Sequence, residues 1–191
     1  MISNFISFSI FSNIFKSNHL LWRLQNGELP DNLNPKVFWL QIGSNNFERV
    51  VLCSDEIVTR GVIRIVEELQ SKRPESKIVL NSILPTSEQI SEGRLFLKPQ
   101  VNKGVKSKYD GIQLVNKALK EYSEKYENIY FVDSTHLFID ENTAFGEGIY
   151  SQFIPKEMMY DWRHPTLYGY EVWGDSIVEK LREIIPKDEE N

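Results

Sequence analysis

Apolar positions along the chain follow two alternating rhythms. Short unbroken runs closed by turn residues lie at 36–46 (KVFWLQIGSNN), 76–85 (SKIVLNSILP) and 127–134 (ENIYFVDS). Runs of that length, rich in Val, Ile and aromatic residues, predict buried strands with loops at their carboxyl ends. Between them the rhythm changes to a period near 3.6. At 55–72 the apolar residues are Ile57, Val58, Val62, Ile65, Val66 and Leu69; at 109–126 they are Ile112, Leu114, Val115, Leu119 and Tyr122. Both stretches predict amphipathic helices. A last helix is predicted from about Pro165 to Ile185, and a short one over 17–29 with Ser17 as its cap. Near the start of the chain, FISFSIF reads as a further strand.

Strands alternating with helices imply an α/β fold with a parallel sheet covered on both faces. Ligands bind such sheets beyond the carboxyl ends of the strands. The loops that matter are therefore 43–48, 84–107 and 133–164.

Composition narrows the function classes. At 191 residues, with 41% hydrophobic and 26% charged, the chain fits one soluble globular domain. The organisation expected is an atypical N-terminal segment at 1–16, a domain at 17–186 and an acidic tail at 187–191. The net charge of −5 argues against nucleic acid as the main partner. The one basic run, KPQVNKGVKSK at 98–108, reads as a solvated loop. The single cysteine, Cys53, excludes a disulfide within the chain and reads as a buried structural thiol. No stretch reaches the ~18 apolar residues of a membrane span. The first twenty residues lack the early positive charge and the small-residue cleavage site of a secretory signal, so the cytoplasm is the expected compartment.

Three loop positions could carry chemistry. In IGSNN, Gly43 lets the backbone turn and Asn45 can aim an amide N–H at a developing negative charge, although turns end strands in Gly and Asn for their own reasons. In DWRHP at 161–165, Asp161 stands three residues before His164 and can reach its Nδ1–H, fixing the tautomer so that Nε2 serves as base. The plainer alternative is a loop histidine with an incidental aspartate. His136, after the third strand and near Asp133, is the remaining candidate for joining His164 at a metal, but the three histidines lack ligand spacing. No metal site, glycine-rich dinucleotide loop or phosphate loop is present in the sequence, so no cofactor is expected.

Taken together, LLWRLQNGELPDNLNPKVFWLQIGSNN at 20–46, KIVLNSILP at 77–85 and MMYDWRHPTLYGYEVW at 158–173 resemble the SGNH, or GDSL, hydrolase family. Within it, the chain most resembles the platelet-activating-factor acetylhydrolase catalytic-subunit branch, over roughly 17–186. The resemblance implies a three-layer α/β/α sandwich of flavodoxin-like form and metal-independent hydrolysis of small acyl or acetyl esters. It implies that Asn45 matches the oxyanion asparagine, and that Asp161 and His164 match the partners of the nucleophilic serine. That branch associates as dimers, so a homodimer is the implied assembly.

Two of the family's four blocks do not appear: the nucleophile block, and the second, whose glycine N–H donates to the oxyanion and would fall near 11–15, where this chain has FSNIF. The family's first strand ends in Gly-Asp-Ser, ahead of every segment quoted, yet the first nineteen residues here hold no glycine. Ser7, Ser9 and Ser12 stand in no turn that would expose an activated hydroxyl. FISFSIF is expected to take the first strand's place in the sheet, since an unpaired central edge would leave backbone groups unsatisfied. The letters GDSI at 174–177 match the nucleophile signature, but Ser176 falls within the last predicted helix, some ten residues beyond His164. At ~1.5 Å per residue that is roughly 15 Å, against the ~3 Å a base requires. The expectation is a family ester hydrolase whose first block lies outside this sequence. The alternatives are a non-catalytic binding or scaffold protein, or a nucleophile supplied by another chain.

Overall fold

Four parallel strands form one sheet in the order β1-β2-β3-β4. They are β1 (Phe5–Phe8), β2 (Val37–Leu40), β3 (Lys77–Asn81) and β4 (Ile129–Val132). The computed structural model describes residues 5–8, 16–47, 53–87, 95, 108–140 and 153–185. Helices α1 (Ser17–Arg23), α2 (Asp55–Lys72), α3 (Lys108–Ser123) and α4 (Leu167–Ile184) complete the described elements, with 3₁₀ turns at Ser44–Phe47 and Thr135–Phe138. By contact the chain divides into two compact units, Met1–Ile83 with Asp110–Asp133, and Leu84–Tyr109 with Ser134–Asn191.

The first unit holds the sheet. All of β2 and most of β3 are buried, as strands covered on both faces must be. The register sets Phe38 beside Ile78 and Leu40 beside Leu80, while Ile78 faces Ile129 across the next pair. These side chains share one apolar core with Leu20 and Leu24, with Val58, Val62, Ile65, Val66 and Leu69 of α2, and with Ile112, Val115 and Leu119 of α3. Phe5–Phe8 pairs in parallel with β2, so β2 has a partner on each side. The described strand covers Phe5–Phe8 of FISFSIF, and residues 9–15 lie outside the described set.

Helix α2 shows why its limits could be read from sequence. Ser54 Oγ accepts the Ile57 N–H at 3.3 Å, and Asp55 and Glu56 sit in the first turn, where negative charge suits the helix dipole. The buried stripe is the predicted one without Ile57, which is exposed. Ile65 is wholly buried at the centre of this stripe. Ile65→Ala is expected to lower stability by about 2–5 kcal/mol, the range for deleting buried methylenes with partial collapse of the cavity. Urea unfolding measures it, and a loss under about 1 kcal/mol would show that α2 is not tightly packed on the sheet.

Two expectations need correction. Ser17 is not the cap of α1: Lys16 holds that position and offers no side-chain hydrogen bond. Ser17 is instead buried, its N–H donating to Asn46 Oδ1 at 3.2 Å and its Oγ accepting from Asn46 Nδ2 at 3.1 Å. The N-terminus of α1 is thus satisfied from the loop after β2. Cys53 is half-buried just before α2 rather than buried, with its N–H on the Asn46 carbonyl at 3.2 Å. Beyond α1 the chain widens into a turn over Leu24–Glu28, where Gly27 takes a φ of 100° that disfavours a side chain.

The second unit packs Leu84, Leu95, Tyr109, Phe138, Ile154, Met158, Met159 and Trp173 into its own apolar cluster. Phe138 meets Trp173 edge to face at 6.2 Å. No helix among the described residues is long and apolar enough to cross a membrane.

Candidate functional site

The loop after β2 turns at Gly43, whose φ of 125° lies in the left-handed region. Its carbonyl accepts the Asn46 N–H at 3.0 Å, which closes the 3₁₀ turn carrying Asn45. Asn45 is half-buried there, and Asn46 is buried and tied to Ser17. Beneath the turn, the Asn116 side chain holds Ile83 at both backbone atoms, accepting its N–H at 2.8 Å and donating to its carbonyl at 3.0 Å. The turn bearing Gly43 and Asn45 is therefore braced by α1, α2 and the end of β3, all within the first unit.

In the second unit, Asp161 and His164 are joined directly. His164 Nδ1 lies 2.7 Å from Asp161 Oδ2. The other carboxylate oxygen, Oδ1, accepts the N–H groups of Arg163 at 3.0 Å and His164 at 2.8 Å. Trp162 makes that return possible with a φ of 58°, uncommon for a bulky residue, which swings the next two N–H groups back toward the carboxylate. Burial pushes the Asp161 carboxyl up, but the His164 ring, the two backbone N–H groups and the His164 charge outweigh it and hold it below the usual carboxylate range. An ionised carboxylate can only accept, so the proton on this contact belongs to Nδ1. The His164 side chain is 46% exposed and that of Asp161 20%, an imidazole at the surface on a better shielded carboxylate.

The lowered Asp161 value has a consequence for stability. A carboxyl depressed in the folded state stabilises it above its unfolded value of ~3.9, and that contribution is lost as pH falls through the folded value. The stability difference between wild type and Asp161→Asn is expected to be full above about pH 5 and to shrink below about pH 4. Chemical denaturation across that range checks it, and a difference unchanged down to about pH 2.5 would refute the depressed value.

Ser176 lies in α4, its Oγ–H donating to the Trp173 carbonyl at 2.9 Å. His136 is exposed on the Thr135–Phe138 turn. Among the described residues, no three His, Cys, Asp or Glu side chains gather as metal ligands would. Residues 98–107 of the basic run and the N-terminal Ser9 and Ser12 lie outside the described residues. The structure thus joins Asp161 to His164 and sets Gly43 and Asn45 on one turn, each pair within its own unit.

Two residues were missed in the sequence. Asn46 left no local signal, because its partner Ser17 is 29 positions away. Thr166 did leave one, a Thr just before an apolar-periodic run. Its Oγ1 accepts the Gly169 N–H at 3.0 Å, so it caps α4, which begins at Leu167 rather than Pro165.

No family model matches the chain. The platelet-activating factor acetylhydrolase IB subunit alpha2 of Homo sapiens is 30% identical to it over 169 residues, 88% of this chain and 59% of that protein. The chain therefore spans about three fifths of the length of such curated relatives. Among solved structures, a putative platelet activating factor protein from Streptococcus pneumonia superposes with a TM-score of 0.64 at 22% identity, over 87% of this chain and 68% of the other. A carbohydrate esterase family 3 protein from Talaromyces cellulolyticus superposes with a TM-score of 0.58 at 14% identity, over 89% and 68%.

Proposed function

The chain belongs to the SGNH/GDSL hydrolase family, and from that membership we propose that it carries the acid–base half of a serine hydrolase of small acyl or acetyl esters. The observation behind this reading is the 2.7 Å contact between Asp161 Oδ2 and His164 Nδ1. It leaves one task to each group. His164 Nε2 takes the serine proton as the hydroxyl attacks the ester carbonyl, then returns it to the departing alkoxide. Asp161 holds the ring in the required tautomer and stabilises the imidazolium between those two steps. Asn45, on the turn set by Gly43, is assigned as donor to the oxyanion on the strength of the family resemblance.

Ser176 is not assigned as the nucleophile; the block that the test below looks for is the strand-borne Gly-Asp-Ser that the family resemblance implies. A hydroxyl committed to a helix carbonyl in the middle of α4, without the sharp strand-to-helix turn that activates a serine, is not poised for attack. The resemblance to the acetylhydrolase branch also supports a homodimer as the proposed assembly.

The test is to sequence transcripts upstream of the codons for SNHLLWRL and to assay both products with p-nitrophenyl acetate. A Gly-Asp-Ser-bearing form that turns over while the 191-residue chain stays at background supports the reading. If no transcript encodes such a block and the 191-residue chain does not hydrolyse the ester, the reading fails and a binding or scaffold role replaces it.

A further inference from the structure

The Asp161–His164 pair sits in a loop whose two ends are tied together. The Thr166 N–H donates to the Met158 carbonyl at 2.9 Å, and the Thr166 hydroxyl donates to the carbonyl of Glu157. The same hydroxyl oxygen accepts the Gly169 N–H, so the group that closes the loop also caps α4. Gly169 belongs to this neck too: a Cβ there would run into the Met158 carbonyl oxygen, so only glycine lets the helix approach so closely. The far side is pinned by the Ser87 N–H on the Trp162 carbonyl at 2.9 Å, and the near side by Met158 and Met159 N–H groups on the Pro155 carbonyl, both at 3.0 Å.

We propose that Thr166 is a positioning residue for the dyad: its hydroxyl straps the 157–158 backbone to the head of α4 and so holds Asp161 within hydrogen-bonding reach of the His164 ring. The inference rests on the reading of Asp161 as orienter and His164 as base. Physically, only two residues lie between the pair, and a loop that short holds a 2.7 Å contact only if its ends cannot drift. Helix capping alone would do less, because a cap fixes the start of α4 and leaves 157–158 held to the helix head only by the Thr166 N–H on the Met158 carbonyl. The hydroxyl does both, with its one proton directed at Glu157 and a lone pair at Gly169.

Four variants separate the strap from the cap. Thr166→Ser keeps both interactions. Thr166→Val loses both. Thr166→Asp caps the helix but has no proton for Glu157, so it keeps the cap and loses the strap. Gly169→Ala pushes the Met158 carbonyl away without touching the hydroxyl. The readout is the His164 Nδ1–H proton resonance at low temperature, assigned by its loss in His164→Gln. Alongside it, amide exchange of Arg163 and His164 is compared with that of α2. The Ser variant is expected to match wild type. In the Asp, Val and Gly169→Ala variants the resonance should vanish, and exchange at 163 and 164 should rise at least about tenfold relative to α2, the mark of local rather than global opening. Folded Thr166→Asp with the resonance intact and unchanged relative exchange would overturn the proposal. These readouts need no turnover, so an inactive protein with a Thr166-dependent resonance refutes the enzymatic reading alone.

Discussion

His164→Ala is expected to bring p-nitrophenyl acetate hydrolysis by the Gly-Asp-Ser-bearing protein down by roughly 10⁴-fold or more in kcat, with KM nearly unchanged. The expectation follows from the geometry. His164 is the group that would move the proton in both halves of an acyl transfer, and its ring is held for that purpose by a carboxylate 2.7 Å away. Removing it leaves a serine hydroxyl without a base and an alkoxide without an acid. What survives is ester binding and whatever stabilisation the oxyanion donors provide, so KM, a property of the ground state, should move little. Asp161→Asn should cost nearly as much, for a different reason. An asparagine can present an N–H to Nδ1, which forces the ring proton onto Nε2 and removes the lone pair the serine needs. It also weakens acceptance at Oδ1, where the Arg163 and His164 N–H groups converge. If His164→Ala keeps more than about a tenth of the wild-type rate, another group is the base and the role assigned to the dyad is wrong.

The parts of this molecule that could be read in the sequence are those whose causes are local. Helix α2 was predicted over 55–72 and is found at Asp55–Lys72, because Ser54, two acids and a 3.6-residue stripe lie in one continuous stretch. β2 and β3 were legible as apolar runs, although each proved shorter than the run that announced it, the ends being spent on turns. The Asp161–His164 contact was legible because only two residues separate the partners. What could not be read is whatever depends on a distant partner. Ser17 has every local mark of a cap, yet Asn46 claims it from the other side of β2. Thr166 is a visible cap, but its donation to Glu157, nine residues back, shows only once the loop is closed. The left-handed turn at Trp162, which aims two N–H groups at Asp161, has no sequence signal at all, since tryptophan is a poor choice for that conformation.

Gly43→Ala should be the most damaging conservative substitution in the first unit, costing about 2–6 kcal/mol of stability. Two independent penalties add at this position. A non-glycine residue at a φ of 125° is strained wherever it stands, by about 1–3 kcal/mol. In addition, the new Cβ would sit 2.7 Å from Ile83 Cδ1 and 3.1 Å from Val58 Cγ1. Neither neighbour has room to retreat. Val58 and Ile83 are wholly buried in the core of the first unit, and the Ile83 backbone is fixed by both amide atoms of Asn116. Overpacking of that kind costs about 1–3 kcal/mol more. The two penalties can be separated by a double-mutant cycle. Ile83→Val shortens the side chain that clashes, so Gly43→Ala should cost less in the Ile83→Val background, by about the steric share, while the φ penalty remains. Guanidinium unfolding of the four proteins gives the cycle. A Gly43→Ala cost below about 0.5 kcal/mol would sink the argument, because it would mean the turn relaxes without disturbing what packs beneath it. Asn45 stands two residues along the same turn, and the Gly43 carbonyl holds the Asn46 N–H. The backbone shift that accommodates the new methyl is therefore expected to move the side chain assigned to the oxyanion, so that recovery of stability in the Ile83→Val background leaves ester turnover impaired.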